Sequence, residues 1–227
     1  MNKESTLYVV VFSLIITFVL VLPLTVANVL TKDLVEQNKQ VASAISILQA
    51  MGLPADKTQP KKVIADYDAL EKFKLDNTAL KPVTNADVRA AEKSGFPLQP
   101  LFYRGKSSGG QVWGGVFTGP GLWGNITVAL GFDSAVERMT GFQAVAQVET
   151  PGLGARISEP WFAAQFSGQK VPASGVLKFV SGNGAGDPDK DNESVDGVTG
   201  ATITTNGTKD IVNKAISEMK TLIGGVQ

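Results

Sequence analysis

The hydrophobic pattern of the chain begins with a long apolar run near the N-terminus. Residues 7–30 (LYVVVFSLIITFVLVLPLTVANVL) include no charged residue and are rich in Val, Leu, Ile and Phe. In a helix that rises 1.5 Å per residue, this run covers roughly 30 Å of hydrocarbon. It therefore predicts a membrane-spanning helix, in which Pro23 is tolerated as a kink.

A cleaved signal peptide is the alternative interpretation of this run. Its apolar core would usually be shorter, and a cleavage site with small residues should follow closely. The nearest such site, Ala42-Ser43-Ala44, lies about a dozen residues too far along the chain. We therefore expect an uncleaved signal anchor over residues 1–31, whose flanking charges are too evenly balanced to give its orientation.

Two further segments show helical spacing. In the first, the apolar residues recur at intervals of seven, four and three: Leu34, Val41, Ile45 and Leu48. We assign residues 32–62 to a juxtamembrane helix and a polar connector. Residues 63–80 predict an amphipathic helix from the following apolar positions: Ile64, Tyr67, Leu70, Phe73 and Leu75.

The remainder of the chain reads as strands followed by a helix. Glycine-rich sequence between Gly105 and Gly131 breaks any helix. Short apolar runs predict strands over residues 101–103, 111–113, 125–130, 140–148 and 175–180. A last helix has an apolar face from Ile211 to Ile223, and Thr205 or Asn206 can cap its start. This order predicts an α+β fold, with one domain over residues 63–227 in which helices flank a mostly antiparallel sheet.

Composition removes several classes of chemistry. The chain has no His and no Cys, which excludes disulfides, thiolate nucleophiles, Ser–His–Asp catalysis and metal sites ligated by His or Cys. Lys plus Arg (21) equal Asp plus Glu (21), so a basic surface for nucleic acid is excluded as well. We expect no metal site and no nucleic-acid partner. Redox or transfer chemistry must come from a bound cofactor or from Ser, Thr, Asp, Glu, Lys and Tyr.

The segment before the last helix has the features of a phosphate site. Residues 196–208 read DGVTGATITTNGT. A helix N-terminus offers free N–H groups and the positive end of a dipole, and small residues let an anion approach the backbone. Hydroxyl donors come from five threonines: Thr199, Thr202, Thr204, Thr205 and Thr208. A flexible turn with ordinary capping is the alternative.

Two motifs carry a resemblance to a known family. DGVTGAT at residues 196–202 resembles the D-x-x-[ST]-G-A-T signature of the FMN-binding domain family, in which a flavin transferase joins FMN through its phosphate to the last Thr. ETPGLG at residues 149–154, followed by Ile157, Trp161 and the FSG of residues 166–168, is similar to a block shared by two membrane-complex proteins. These are the C subunit of the sodium-translocating NADH:quinone oxidoreductase and the G subunit of the Rnf ferredoxin:NAD oxidoreductase.

Two shorter segments favour the first of these proteins. They are GLW at residues 121–123 and ILQAMGL at residues 47–53. Gln147 stands where relatives often carry His, so no role of that His is transferred to this chain. Both complexes stay open on the sequence alone.

The resemblance implies one FMN per chain, bound covalently as a phosphoester on Thr202. It places other motif residues around the phosphate: Thr199, Gly200, Ala201, Thr204 and Thr205. Asp196 would act in recognition or metal positioning during attachment, with a solvated turn aspartate as the alternative. Lys178 would favour the reduced, anionic flavin, with an ordinary surface lysine as the alternative.

The ETPGLG block would contact the flavin directly. Glu149 and Thr150 would hydrogen-bond the ring or the ribityl chain. Leu153 and Trp123 would pack on the isoalloxazine face beside Gly154, although plain core packing is the alternative for Trp123.

The function implied is that of an electron-transfer subunit, with no independent catalytic residue. It would belong to a membrane-bound, ion-translocating NADH:quinone oxidoreductase complex. The equivalent Rnf protein and a stand-alone, membrane-anchored FMN-binding module are the alternatives. Expected partners are the other membrane subunits and, during maturation, the flavin transferase. The chain would cross the inner membrane once, with its flavin domain on the periplasmic side.

Overall fold

The computed structural model describes residues 6–76, 79–93, 100–182 and 184–224. The helices are α1 Thr6–Ala50, α2 Pro60–Asp68, α3 Asn85–Lys93, α4 Pro160–Ala164 and α5 Thr202–Gly224, with a short 3-10 turn at Gly154–Ser158. The strands are β1 Glu71–Asp76, β2 Ala79–Val83, β3 Leu101–Ser107, β4 Gly110–Pro120, β5 Asn125–Asp133, β6 Met139–Ala146, β7 Lys178–Ser181 and β8 Ser194–Gly197. The chain divides into two units, Met1–Val41 and Ala42–Gln227.

The first unit contains the long apolar part of α1. An 18-residue window of this helix has a mean hydropathy of 2.8 and no buried residue. Length and composition therefore allow it to cross a membrane. Residues 1–5 of the expected anchor lie outside the described residues. Helix α1 continues without a break to Ala50, inside the segment 32–62 that was predicted as juxtamembrane helix and connector, and the second unit begins in the same segment, at Ala42.

The second unit is built on a six-stranded sheet of order β2-β1-β3-β4-β5-β6. Every neighbouring pair in this sheet is antiparallel, whereas β7 and β8 form a separate parallel pair. The predicted mostly antiparallel, α+β architecture is thus confirmed. The end of α1 lies on this sheet, where Thr140 Oγ1 donates to Ala50 O at 2.8 Å. Gly131 and Gly141 make room for it, since a Cβ at either would collide with Ala50 O.

Helix α5 packs on the sheet through its apolar face. The fully buried apolar residues of this helix are Val212, Ala215, Ile216 and Met219. Aromatic side chains fill the rest of this core; for example, Phe142 stacks on Phe166 with ring centroids 4.7 Å apart. Near its start, α5 approaches the end of β4 so closely that a Cβ on Gly207 would overlap Pro120 O. This contact fixes where the first turns of α5 lie.

The predicted helix over residues 63–80 is wrong beyond Asp68. Residues 71–76 form β1, which pairs with both β2 and β3; residues 77–78 lie outside the described residues. Phe73 packs against Trp113 across this sheet, with ring centroids 5.7 Å apart. Leu70 and Phe73 have the three-residue spacing of a helical face, but strand pairing with β2 and β3 determines the structure of this segment.

The start of the last helix is also corrected. Helix α5 begins at Thr202, so Thr205 and Asn206 lie inside its first turns and do not cap it. Thr205 Oγ1 instead accepts a hydrogen bond from Val198 N at 3.1 Å. The strand β8, which leads into DGVTGAT, was not predicted.

Candidate functional site

A cleft of about 270 Å³ lies at the start of α5. Three separate segments bring their residues to it: the turn after β4, the ETPGLG block, and the end of the DGVTGAT turn with the first turn of α5. Its lining residues are Leu122, Glu149, Thr150, Leu153, Gly154, Gly200, Ala201, Thr202, Ile203 and Thr204. Most of the residues selected from the sequence therefore meet in one place.

The DGVTGAT segment makes a tight turn from β8 into α5. Ala201 N donates to Val198 O at 3.1 Å, which closes the turn. Gly200 has a φ of +81°, a left-handed conformation that favours glycine. Thr202 is thus the first residue of α5, where N–H groups have no acceptor inside the helix. The turn presents this positive helix end to the cleft.

The threonine hydroxyls of this segment differ in their partners. Thr199 Oγ1 donates to Gly182 O at 2.9 Å, Thr204 Oγ1 to Glu149 Oε2 at 2.5 Å, and Thr208 Oγ1 to Thr204 O at 2.9 Å. The Thr205 hydroxyl bonds Val198. Thr202 is exposed, and within the described ranges no partner is found for its hydroxyl. Thr202 therefore carries the hydroxyl of this set that is open to modification.

Glu149 is a buried carboxylate between the three segments, with 5% of its surface exposed. Its Oε1 accepts from Leu122 N at 2.9 Å and from Trp123 N at 3.1 Å, while Oε2 accepts from Thr204. Gln147 supports its backbone, since Glu149 N donates to Gln147 Oε1 at 2.6 Å. Both carboxylate oxygens already have protein partners, so a direct hydrogen bond to a ligand would compete with these bonds.

Exposed apolar side chains lie in the segments that line the cleft or directly beside them. They are Leu122, Trp123, Val148, Leu153 and Ile203. Trp123 is 70% exposed, so the alternative of plain core packing is wrong for this residue. Its indole Nε1 donates to Thr150 Oγ1 at 3.0 Å, which fixes the ring beside the cleft. A cluster of this kind typically marks a binding surface.

Three of these rim residues were missed from the sequence. Leu122 belongs to the GLW segment, and Val148 and Ile203 each adjoin a motif residue, but a motif does not show which side chains are exposed. The signal available was their position next to Trp123, Glu149 and Thr202.

Five predicted residues are not among those that line the cleft: Trp123, Lys178, Asp196, Thr199 and Thr205. Lys178 is exposed at the start of β7. Asp196 lies on β8, with its carboxylate packed over Gly182, where a Cβ would overlap it. Burial and the nearby carboxylate of Asp187 raise the pKa of Asp196 above its ordinary value. Asp196 therefore lies on the Gly182 side of the motif, next to Thr199, and is more enclosed than a solvated turn aspartate.

The residues of the cleft fit FMN. The helix end and the Thr202 hydroxyl suit a phosphate, and the apolar rim suits a flat aromatic ring. The cleft volume of about 270 Å³ falls below the range of roughly 300–1,000 Å³ that is usual for ligand pockets. It would enclose only part of the cofactor.

Comparison with known proteins agrees with this fit. Residues 121–217 match the family model of the FMN-binding domain. The G subunit of the ion-translocating oxidoreductase complex of Methanosarcina acetivorans is 29% identical over 180 residues, which are 78% of this chain and 87% of that protein. The C subunit of the Na(+)-translocating NADH-quinone reductase of Chlamydia caviae is 31% identical over 121 residues, 47% of this chain and 38% of its own length. The chain thus matches well under half the length of that reductase protein.

A solved structure shares the fold. The crystal structure of the C subunit of the Na(+)-translocating NADH-quinone reductase from Parabacteroides distasonis has a TM-score of 0.64 and 25% identity, and the match covers 85% of this chain and 96% of that one. The matched family region contains the cleft, the ETPGLG block and most of α5. Residues 121–217 therefore match the FMN-binding domain family, and the chain shares the α+β fold of this reductase protein.

Proposed function

We propose that this chain is an electron-transfer subunit of a membrane-bound, ion-translocating oxidoreductase complex, with one FMN joined to Thr202. The FMN-binding domain match supports the cofactor. The relatives are named as subunits of ion-translocating oxidoreductases, which supports the electron-transfer role. The apolar helix α1 supports attachment to a membrane.

The observation that supports covalent attachment at Thr202 is the difference in hydrogen bonding among the threonine hydroxyls. Those of Thr199, Thr204, Thr205 and Thr208 are held by protein partners, whereas that of Thr202 is exposed at the first residue of α5. A phosphate ester on Thr202 Oγ1 would lie at the helix end whose N–H groups stabilise negative charge. In the attachment step, catalysed by the flavin transferase, the bond between the FMN phosphate and the leaving group of an activated flavin nucleotide would break as the ester bond to Thr202 Oγ1 forms. The leaving group would depart with the hydroxyl proton, so the chain would gain one FMN less one water.

When bound, FMN supplies the redox chemistry that this chain, without His or Cys, cannot supply. The chain's own residues bind and orient it. The exposed rim offers apolar contacts, and the Trp123 indole is held in one orientation by Thr150. Because the cleft is small, an ester bond compensates for the limited enclosure.

Intact mass and in-gel fluorescence test this proposal. The full chain, produced with a flavin transferase, should fluoresce on a denaturing gel and exceed its sequence mass by one FMN less water. Thr202→Val should abolish both signals. Thr221→Val is the matched control, because Thr221 is an exposed threonine of the same helix whose hydroxyl donates to Ser217 O. An adduct mapped to Thr199 or Thr204 would contradict the assignment.

The complex is proposed to be of the NADH:quinone type, to which the fold likeness points. A second candidate, the Rnf-type complex, is favoured by the alignment over 87% of the Methanosarcina acetivorans protein. Activity assays on purified membranes distinguish the two complexes. The NADH:quinone type predicts NADH-dependent quinone reduction that requires this chain, and the Rnf type predicts electron transfer between ferredoxin and NAD that requires it. A stand-alone flavin module would instead purify without polytopic partners.

The flavin domain is proposed to face the periplasm of the inner membrane. A single span allows this, and the resemblance to the FMN-binding family implies maturation outside the cytoplasm. A reporter fused after Gln227 should be active on the periplasmic side. Activity confined to the cytoplasm would refute this topology.

A further inference from the structure

We propose that Glu149 is a positioning residue, whose carboxylate holds the first turn of α5 so that Thr202 faces outward for FMN attachment. The inference rests on the proposed attachment at Thr202. It replaces the direct flavin contact that the sequence suggested for Glu149.

The carboxylate joins segments that are distant in the sequence. Through Oε1 it holds the backbone N–H groups of Leu122 and Trp123, 27 and 26 residues away, and through Oε2 the hydroxyl of Thr204, 55 residues away. Within the described part of the chain, no Lys or Arg forms an ion pair with it. Three donors therefore satisfy a buried charge that would otherwise be costly.

Helix geometry connects Thr204 to Thr202. Successive residues of an α-helix are about 100° apart, so side chains two positions apart point in nearly opposite directions, roughly 200° apart. Thr204 is buried, with 1% of its surface exposed, while Thr202 is exposed. Fixing the Thr204 hydroxyl inward on Glu149 thus keeps Thr202 turned outward.

Two glycines make room for this arrangement. A Cβ on Gly121 would lie 2.5 Å from Glu149 Oε1, and a Cβ on Gly154 would lie 2.9 Å from Oε2 and 2.5 Å from Thr204 Oγ1. Any larger residue at either position would displace the carboxylate or the hydroxyl. The glycines at positions 121 and 154 therefore leave the space that this hydrogen-bond network needs.

The first experiment measures hydrogen exchange on the full chain made without a flavin transferase. Peptides covering residues 121–124 should exchange slowly in the wild type, although the side chains of Leu122 and Trp123 are exposed. Glu149→Ala should speed their exchange about tenfold or more, because hydrogen bonds to a charged acceptor are lost. Glu149→Gln keeps an acceptor for both amides and should show a smaller change. Unchanged exchange in Glu149→Ala would overturn the proposal.

The second experiment measures the initial rate of flavin attachment. Thr204→Val should slow attachment about tenfold, whereas Thr204→Ser, which restores the hydroxyl, should recover most of the rate. Asn213→Ala is the matched control: Asn213 also lies on α5 and makes two bonds to the backbone of Leu177, far from the cleft. It should lower the melting temperature without slowing attachment.

The outcomes separate the two proposals. A wild type that never acquires flavin on Thr202 would refute the proposed function, while rapid amide exchange at residues 121–124 in the wild type would refute the positioning role alone. Equal attachment rates for Thr204→Val and the wild type would also refute it. A slowed rate in Asn213→Ala, matched to its loss of stability, would show that general destabilisation explains the effect.

Discussion

Folding stability should rise with pH in the alkaline range because of one buried ammonium, that of Lys72. Only 3% of this residue is exposed. Its Nζ donates to Tyr67 O at 2.6 Å and to Leu70 O at 3.3 Å, and it lies 4.2 Å from the centroid of the Tyr67 ring. Burial is the main cause that lowers the pKa of Lys72 from 10.5 to about 8; Asp68 opposes this change and Arg89 adds to it.

The sign follows from proton binding. Between pH 8 and pH 10.5 the unfolded chain keeps its proton on Lys72 while the folded chain loses it. The unfolded state then binds more protons, so the free energy of unfolding rises with pH in this window. At 1.36 kcal/mol for each pH unit, the full effect would be about 3 kcal/mol. Residual solvent screening reduces our expectation to about 1–2 kcal/mol.

Urea unfolding of the chain without residues 1–31, followed from pH 7.5 to about pH 10.5 (near the ordinary lysine pKa), measures this effect. Lys72→Met keeps the apolar stem and should remove the rise. Lys74→Met is the matched control, since Lys74 is an exposed residue of the same strand, and it should keep the rise. The difference between wild type and Lys72→Met cancels the titration of other groups. A difference that stays constant with pH would refute the reasoning.

Three further predictions concern packing and the anchor. Gly207→Ala should lower the free energy of unfolding by about 1–3 kcal/mol, measured by thermal denaturation. The new Cβ would overlap Pro120 O, and the cost of this overlap should exceed the gain in helix propensity. Ala201→Val should slow flavin attachment, measured by in-gel fluorescence, because Ala201 is 8% exposed and lines the cleft; full flavin occupancy would contradict this. Replacing residues 1–31 by an unrelated secretion signal should give a soluble, folded, yellow domain. Added to a complex that lacks this protein, the domain should fail to restore electron transfer. Full turnover with this fragment would show that the anchor is only a tether.

Local sequence patterns predicted those elements whose apolar periodicity is visible within a short stretch of the chain. The apolar span, the strands near residues 101, 112 and 126, and the apolar face of α5 all follow from periodicity. Residues 71–76 were misassigned because their partners on β3 lie about thirty residues later and because Lys72, a charged residue, is buried. Pairing between strands that are far apart in the chain cannot be recognised from a short stretch of sequence.

The site was predicted unevenly for a similar reason. The two motifs identify Thr202 and Glu149, and the structure brings both to one cleft. The motifs do not reveal that Glu149 bonds Leu122, Trp123 and Thr204, since these contacts join residues 26 to 55 positions apart. Nor do they reveal that Asp196 faces Gly182, because β8 itself was not predicted.

The modest size of the cleft has a kinetic consequence. With FMN on Thr202, part of the ring system would stay at the protein surface. A surface-exposed redox centre can exchange electrons with a docked partner without the opening of a lid, so the rate at this centre would be set by encounter and docking. The same exposure would give dioxygen access to the reduced cofactor. Autoxidation, in which the reduced cofactor passes an electron to dioxygen and superoxide forms, is therefore the side reaction expected at such an open site.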